Sequence, residues 1–314
     1  SFADLNNINT FLQQLGKTPF FKKQKPTPFD EAVSLIWYLE NVFYPAIGKI
    51  SMSLASHYNE EYNPADLLIN MGFWPGGDRD GNPFVTSDIT LKVADALRGS
   101  IIKCYYLDIR KLRRRLTFEG VETMLQDLEK KLYNNLFIPG YKGELTQNEV
   151  LETLLQIREL IVFNHNGLFL NLVDALLHRV QLFGLYFASL DIRQDSSVHT
   201  SVIAEIYKAV NHTDYTELNE EAKIQWLSTM DAAGINIEQL SAVAKDTLAS
   251  VGAIKEIQEK YTISPEKTFL LGFSQGCMVS INLGLTSDQN YNCIVGFSGK
   301  IIDQNNLKGR VKIK

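Results

Sequence analysis

No helix or strand can run unbroken through Gly76-Gly77-Asp78-Arg79-Asp80-Gly81-Asn82-Pro83. Its glycines admit backbone conformations closed to other residues, and Pro83 stiffens the exit while pushing Asn82 out of the helical region. A short apolar run, Ile69 to Trp74, comes just before it. The pattern therefore predicts a strand delivering a polar loop, a place where binding and catalytic groups concentrate. Asp78, Arg79 and Asp80 converge there as two carboxylates and a guanidinium. Two readings stay open: a structural turn whose Asp and Arg pair with each other and cap backbone, or a functional site. A calcium loop is excluded. Asp78, Asp80 and Asn82 imitate its first, third and fifth positions, but Pro83 and Ile89 stand where Gly and Glu are needed.

Around this loop the apolar spacing is mostly helical. A short helix is predicted around Asn9 to Leu15, followed by a basic connector, Lys22 to Pro28. Another begins at Asp30, whose charge and that of Glu31 suit a helix N-terminus, and Pro45 should kink or end it. Thr86 or Ser87 can cap a helix running from Ile89 towards Leu116, and further helices follow over Val121 to Leu132, Leu168 to Leu182, Ser196 to Val210 and Glu217 to Leu227. Gly140 to Gly143 reads as a break, and Thr146-Gln147-Asn148-Glu149 as a capping box opening the amphipathic run Val150 to Leu160. Between Leu185 and Arg193 the period changes to two, which predicts a strand with polar groups gathering at its C-terminal end. There Arg193 either serves a site or simply pairs with Asp191 or Asp195.

A net charge of -5 argues against nucleic acid as the main partner. The one basic cluster, Arg110 to Arg115, lies within a helical pattern and reads as a solvated face. Cys104, Cys277 and Cys293 are too few and scattered for a disulfide framework or a zinc site. With no apolar run long enough to span a bilayer and no signal peptide, the expectation is a cytoplasmic chain with reduced thiols and no membrane partner. Ser1 and Lys314 both read as cuts.

The run Gly72-Phe73-Trp74-Pro75-Gly76-Gly77-Asp78-Arg79-Asp80-Gly81-Asn82-Pro83-Phe84-Val85-Thr86 resembles the GGDRDGNP signature of phosphoenolpyruvate carboxylase. Leu190-Asp191-Ile192-Arg193-Gln194-Asp195-Ser196 resembles the same family's LDIRQ-E/D-S segment, in the same order. The similar region spans about residues 26 to 230. The resemblance implies formation of oxaloacetate and phosphate from phosphoenolpyruvate and bicarbonate, with Mg or Mn. It implies that Arg193 binds the substrate phosphate, a role suited to a guanidinium fork, while Arg79, Asp78, Asp80 and Asn82 help to build the site. Nothing in the chain matches the family's T-A-H-P-T-E segment, its G-R-G-G loop or its metal-holding Glu and Asp, so the metal ligands are expected to be absent from this chain. The family forms homotetramers.

A second constellation lies near the C-terminus. Gly272-Phe273-Ser274-Gln275-Gly276 matches G-x-S-x-G between an apolar run, Thr268 to Phe273, and a helical one reaching Leu285, the context of a nucleophile elbow. With Ile294-Val295-Gly296-Phe297-Ser298-Gly299 it resembles the phospholipase/carboxylesterase α/β-hydrolases over about residues 235 to 302. The resemblance implies Ser274 as nucleophile and Gln275 in the oxyanion hole. No histidine follows His212, and a serine without a general base is a poor nucleophile, so negligible esterase activity is expected.

The expected fold is thus mainly α with a few parallel strands. Residues 1–232 should form part of a helix-rich (β/α) barrel of phosphoenolpyruvate carboxylase type, and residues 233–314 a β-α-β fragment of an α/β-hydrolase, packing loosely after about residue 235. Such a junction fits a frameshift, a misassembled read or a chimera as well as a working gene. The functional expectation is a carboxylase portion inactive alone. One alternative is a non-catalytic helical anion-binding module, and a second is a serine hydrolase using Ser274.

Overall fold

A computed structural model of the chain describes residues 2–18, 25–58, 69–80, 82–141, 145–229, 235–261, 269–273 and 293–297. Its helices follow the apolar periodicity. α1 covers Phe2–Lys17 and turns Leu5, Ile8, Leu12 and Leu15 outward. Thr27 opens α2 (Pro28–Tyr38) with a reciprocal capping box, its side chain accepting from the Asp30 amide while the Asp30 carboxylate accepts from the Thr27 amide. Pro28 occupies the first turn, where no amide is needed.

Pro45 neither ends nor breaks the next stretch. It lacks the N–H that would bond back to Asn41, and a π-helical segment, Leu39–Phe43, absorbs the mismatch before α3 (Tyr44–Tyr58) continues. The frame is α4 (Ser87–Arg113), which packs against α2, α5 (Val121–Phe137) and α7 (Leu170–Phe183). Its buried Val93, Leu97, Ile101, Tyr105 and Ile109 recur at helical spacing. Thr146 caps α6 (Gln147–Asn164), but only half the expected box forms, because the Glu149 carboxylate pairs with Lys131 on α5. The basic cluster is a largely solvated face, with Arg110, Lys111, Arg114 and Arg115 exposed, along which Arg110 and Arg113 pair with Glu129 of α5 and Lys111 with Asp108. Cys104 is buried, and desolvation pushes its thiol up to about 12.

The strand predicted over Leu185 to Arg193 is corrected by the structure. Gly184 ends α7 at φ +54°, Phe187 takes a left-handed φ of 65°, and residues 184–188 form turns. Only Ser189–Leu190 remain as strand β2, paired in parallel with β1 (Gly72–Phe73). Burying Leu185, Phe187 and Ala188 together outweighs alternation. Phe187 packs on Tyr44 and Phe183, and burial of such a ring offsets the cost of its backbone.

Beyond β2 lie α8 (Ser196–Asn211), α9 (Glu220–Thr229) and α10 (Ala242–Lys260). Loose packing after residue 235 is not what the structure has between 237 and 261. α10 buries Ala244, Thr247, Ser250 and Ala253 and packs on α4 and α8. Its far end is fixed by Lys260 and Tyr261, which both bond the Asp95 carboxylate. Two more strands, β3 (Phe269–Phe273) and β4 (Cys293–Phe297), pair in parallel. Among the described residues, no helix is long and apolar enough to cross a membrane.

His178 on α7 offers a test of this packing. Its Nδ1 lies 3.3 Å from the Ser51 hydroxyl, and burial holds its pKa below the usual value despite Asp174 nearby. The unfolded chain therefore takes up the proton more readily. Stability from this group is complete above about pH 6.5, the ordinary histidine pKa, and declines as pH falls below it. His178→Gln is expected to flatten the pH dependence of the urea midpoint between about pH 7 and 5. An unchanged slope would contradict this placement.

Candidate functional site

The β1–β2 ladder delivers the acidic loop. Ser189 donates its amide to Met71 O at 2.8 Å and Asp191 to Phe73 O at 2.8 Å. The chain after β1 then makes a tight turn in which the Gly77 and Asp78 amides both donate to Trp74 O. Parallel pairing resumes beyond it as a bridge between Asp78 and Arg193: the Arg193 amide donates to Gly77 O at 3.0 Å, and the Arg79 amide to Arg193 O at 2.9 Å.

Glycine is required at the turn. Gly76 has φ +83°, and its carbonyl accepts from the Thr90 hydroxyl of α4 at 2.6 Å. A Cβ on Gly77 would lie 2.0 Å from the Asp191 carbonyl oxygen, inside the neighbouring backbone. The two segments approach this closely because no side chain intervenes.

The side chains then divide. Arg193 Nη2 donates to Asp78 Oδ2 at 2.6 Å, while Asp78 Oδ1 accepts from the Asp80 amide at 3.2 Å. Arg193 is 60% exposed and Asp78 27%, so the guanidinium stands at the surface with one edge held. Asp80 and Asp191 are exposed beside this pair in the chain, and Asn82 Oδ1 accepts from the Phe84 amide, which closes the loop exit. Asp195 does not pair with Arg193. It caps α8, and hydrogen bonds from Ser197 hold its carboxyl below the usual range.

Arg79 does not join its neighbours at this face. It is buried, and its guanidinium pairs with Asp246 of α10. The same carboxylate accepts from Ser87, from the amide at 3.1 Å and the hydroxyl at 3.3 Å. Asp246 was not identified from sequence, since it lies 167 residues from Arg79 inside an ordinary helical pattern. Among the described residues, no three His, Cys, Asp or Glu side chains converge as a metal-ion ligand set. Ser274 and Gln275, the expected nucleophile and oxyanion group, lie outside the described residues, as does Gly81.

Fold and site together define a helical body in which two short parallel strands present an exposed guanidinium–carboxylate pair just beyond their C-terminal ends. A sequence model of one family, phosphoenolpyruvate carboxylase, matches residues 4–140 and 141–277. The phosphoenolpyruvate carboxylase of Aeromonas hydrophila is 28% identical over 253 residues, covering 71% of this chain and 29% of that protein. That of Actinobacillus pleuropneumoniae is 30% identical over 241 residues, covering 65% and 27%. The chain belongs to the phosphoenolpyruvate carboxylase family, and it spans under a third of the length of these relatives. The match extends at both ends past the 26 to 230 region that the two motifs indicated.

Proposed function

We propose that residues 72–80 and 189–193 form one wall of a phosphoenolpyruvate pocket, in which Arg193 receives the phosphoryl group. The Asp78–Arg193 bridge carries this reading, because it sets an exposed guanidinium beside the acidic turn on the ends of two parallel strands. Guanidinium has five donors in a planar fork, and a phosphate can take two parallel N–H···O bonds from it. Asp78 accepts from one edge of that fork, and Asp78, Asp80 and Asn82 shape the loop. Arg79 contributes by holding that loop from behind. The whole reaction, phosphoenolpyruvate and bicarbonate to oxaloacetate and phosphate in the cytoplasm, belongs to the larger barrel of which this chain is a portion. The chain alone is inactive in it.

Binding separates this reading from a simple turn. Arg193→Ala is expected to weaken phosphoenolpyruvate binding, measured by calorimetry, by about tenfold or more, since hydrogen bonds to a charged group contribute about 1.5–3 kcal/mol. Asp78→Asn should strengthen it by up to about fivefold, because the exposed pair it removes holds at most about 1 kcal/mol and its charge repels the ligand. Equal affinity in all three proteins would contradict the assignment. A non-catalytic anion-binding module would bind inorganic phosphate as tightly as phosphoenolpyruvate.

A second reading concerns the chain after Tyr261. Parallel pairing of β3 with β4 supports the strand-helix-strand unit of a hydrolase-like fragment, with Ser274 directly after β3. The carboxylase family match reaches residue 277 and so overlaps β3. Because α10 and Tyr261 are tied to α4, we place the division between the two parts after Tyr261 rather than near residue 232. Ser274 should not be labelled by a fluorophosphonate probe; labelling would show an active hydrolase.

A further inference from the structure

We infer that Asp246, on α10, is a positioning residue for Arg193, a role that rests on the phosphate-pocket reading above. The connection runs through Arg79. Its amide donates to Arg193 O at 2.9 Å, within the bridge that sets Arg193 beside Asp78, while its guanidinium reaches back into the protein to Asp246. The Arg79 side chain is only 6% exposed, and its Nε has no hydrogen-bond partner among the described residues. The Asp246 carboxylate is thus the anion that compensates this buried charge. Asp246 is itself fixed on its other oxygen by the Ser87 amide and hydroxyl at the start of α4.

Without Asp246 the buried guanidinium has no compensating anion and is driven to seek water or another carboxylate. Arg79 is flanked by Asp78, the partner of Arg193. A displaced Arg79 moves its own amide, hence the Arg193 carbonyl it holds and the direction in which the Arg193 guanidinium is presented. Asp246 touches neither Arg193 nor the proposed ligand, so it acts through the loop. The competing view is that the Arg79–Asp246 pair only fastens α10 to the body. Asp95 supplies the control, because it fastens the other end of α10 through Lys260 and Tyr261, away from the loop.

The test uses the full chain with 15N-labelled arginine. The Nε–H signal of Arg193, identified by its loss in Arg193→Ala, is followed together with phosphoenolpyruvate affinity and thermal midpoint. Asp246→Asn is expected to shift the Arg193 signal and weaken binding about tenfold, the loss of about one hydrogen bond to a charged group. Asp95→Asn should lower the midpoint but leave signal and affinity as in the parent, and Asp246→Glu should restore both. Ser87→Ala, a milder change, should shift the signal in the same direction by less, and it serves if Asp246→Asn does not fold. A lowered midpoint in Asp246→Asn with the Arg193 signal unmoved overturns the inference. If the parent chain binds no phosphoenolpyruvate, the pocket reading fails on its own, and the Arg193 signal still decides whether Asp246 positions that side chain.

Discussion

Gly77→Ala is expected to separate the acidic turn from β2 and to cost about 3 kcal/mol, the upper end of typical overpacking penalties. The methyl group would meet the Asp191 carbonyl oxygen at 2.0 Å and its carbon at 2.9 Å. Both are backbone atoms of a paired segment, so no rotamer change relieves the contact. The displaced pieces are the ones that hold Arg193, its amide on Gly77 O and its carbonyl under the Arg79 amide. Urea unfolding should show the loss, and phosphoenolpyruvate binding should disappear with it. An alanine variant with the parent midpoint would mean that the two backbones do not approach as described.

Asp108→Ala should destabilise by about 3–5 kcal/mol, the range for removing one partner of a buried ion pair. Asp108 is 8% exposed and accepts from the Tyr44 hydroxyl at 2.9 Å, Arg179 Nη1 at 2.7 Å and Lys111 Nζ at 2.9 Å. It thereby ties α3, α4 and α7 together. Arg179 lies over the Tyr44 ring, 5.0 Å from its centroid, and against Gly48, where a Cβ would come within 2.5 Å of its Nε. Burial and the adjacent Asp108 push the Tyr44 hydroxyl well above its ordinary pKa, so it stays a donor. The loss comes from the stranded Arg179 charge, so Asp108→Leu combined with Arg179→Met should recover much of it. Failure of the double variant to recover would place the energy in the geometry of the polar network instead.

Local rules were enough for most helices. The apolar spacing of α4 to α8, the Thr146 cap and the strand before Gly76 all follow from side chains a few residues apart. Pro45 was legible as a disturbance, but a residue without an amide donor can end a helix, kink it or be absorbed by a π-helical segment, and the structure takes the last course. The alternation from Leu185 to Arg193 misled because Gly184 and Phe187 take left-handed conformations that bury three apolar side chains at once, which no period-two template contains. Within the site, the adjacency of Asp78 and Arg193 came from the family resemblance, since 115 residues separate them. Arg79 looked like a member of the same charged cluster because it sits between two aspartates. Its true partner lies on α10, and a contact between distant segments leaves no local signature.

As proposed, Arg193 and the acidic turn face one phosphoryl group. The most direct measurement is a crystal structure of the chain soaked with phosphoenolpyruvate. Phosphate density against the Arg193 guanidinium, with Asp78 displaced from one of its edges, is the predicted result. A bound phosphate elsewhere, with Arg193 still held by Asp78, would contradict the account.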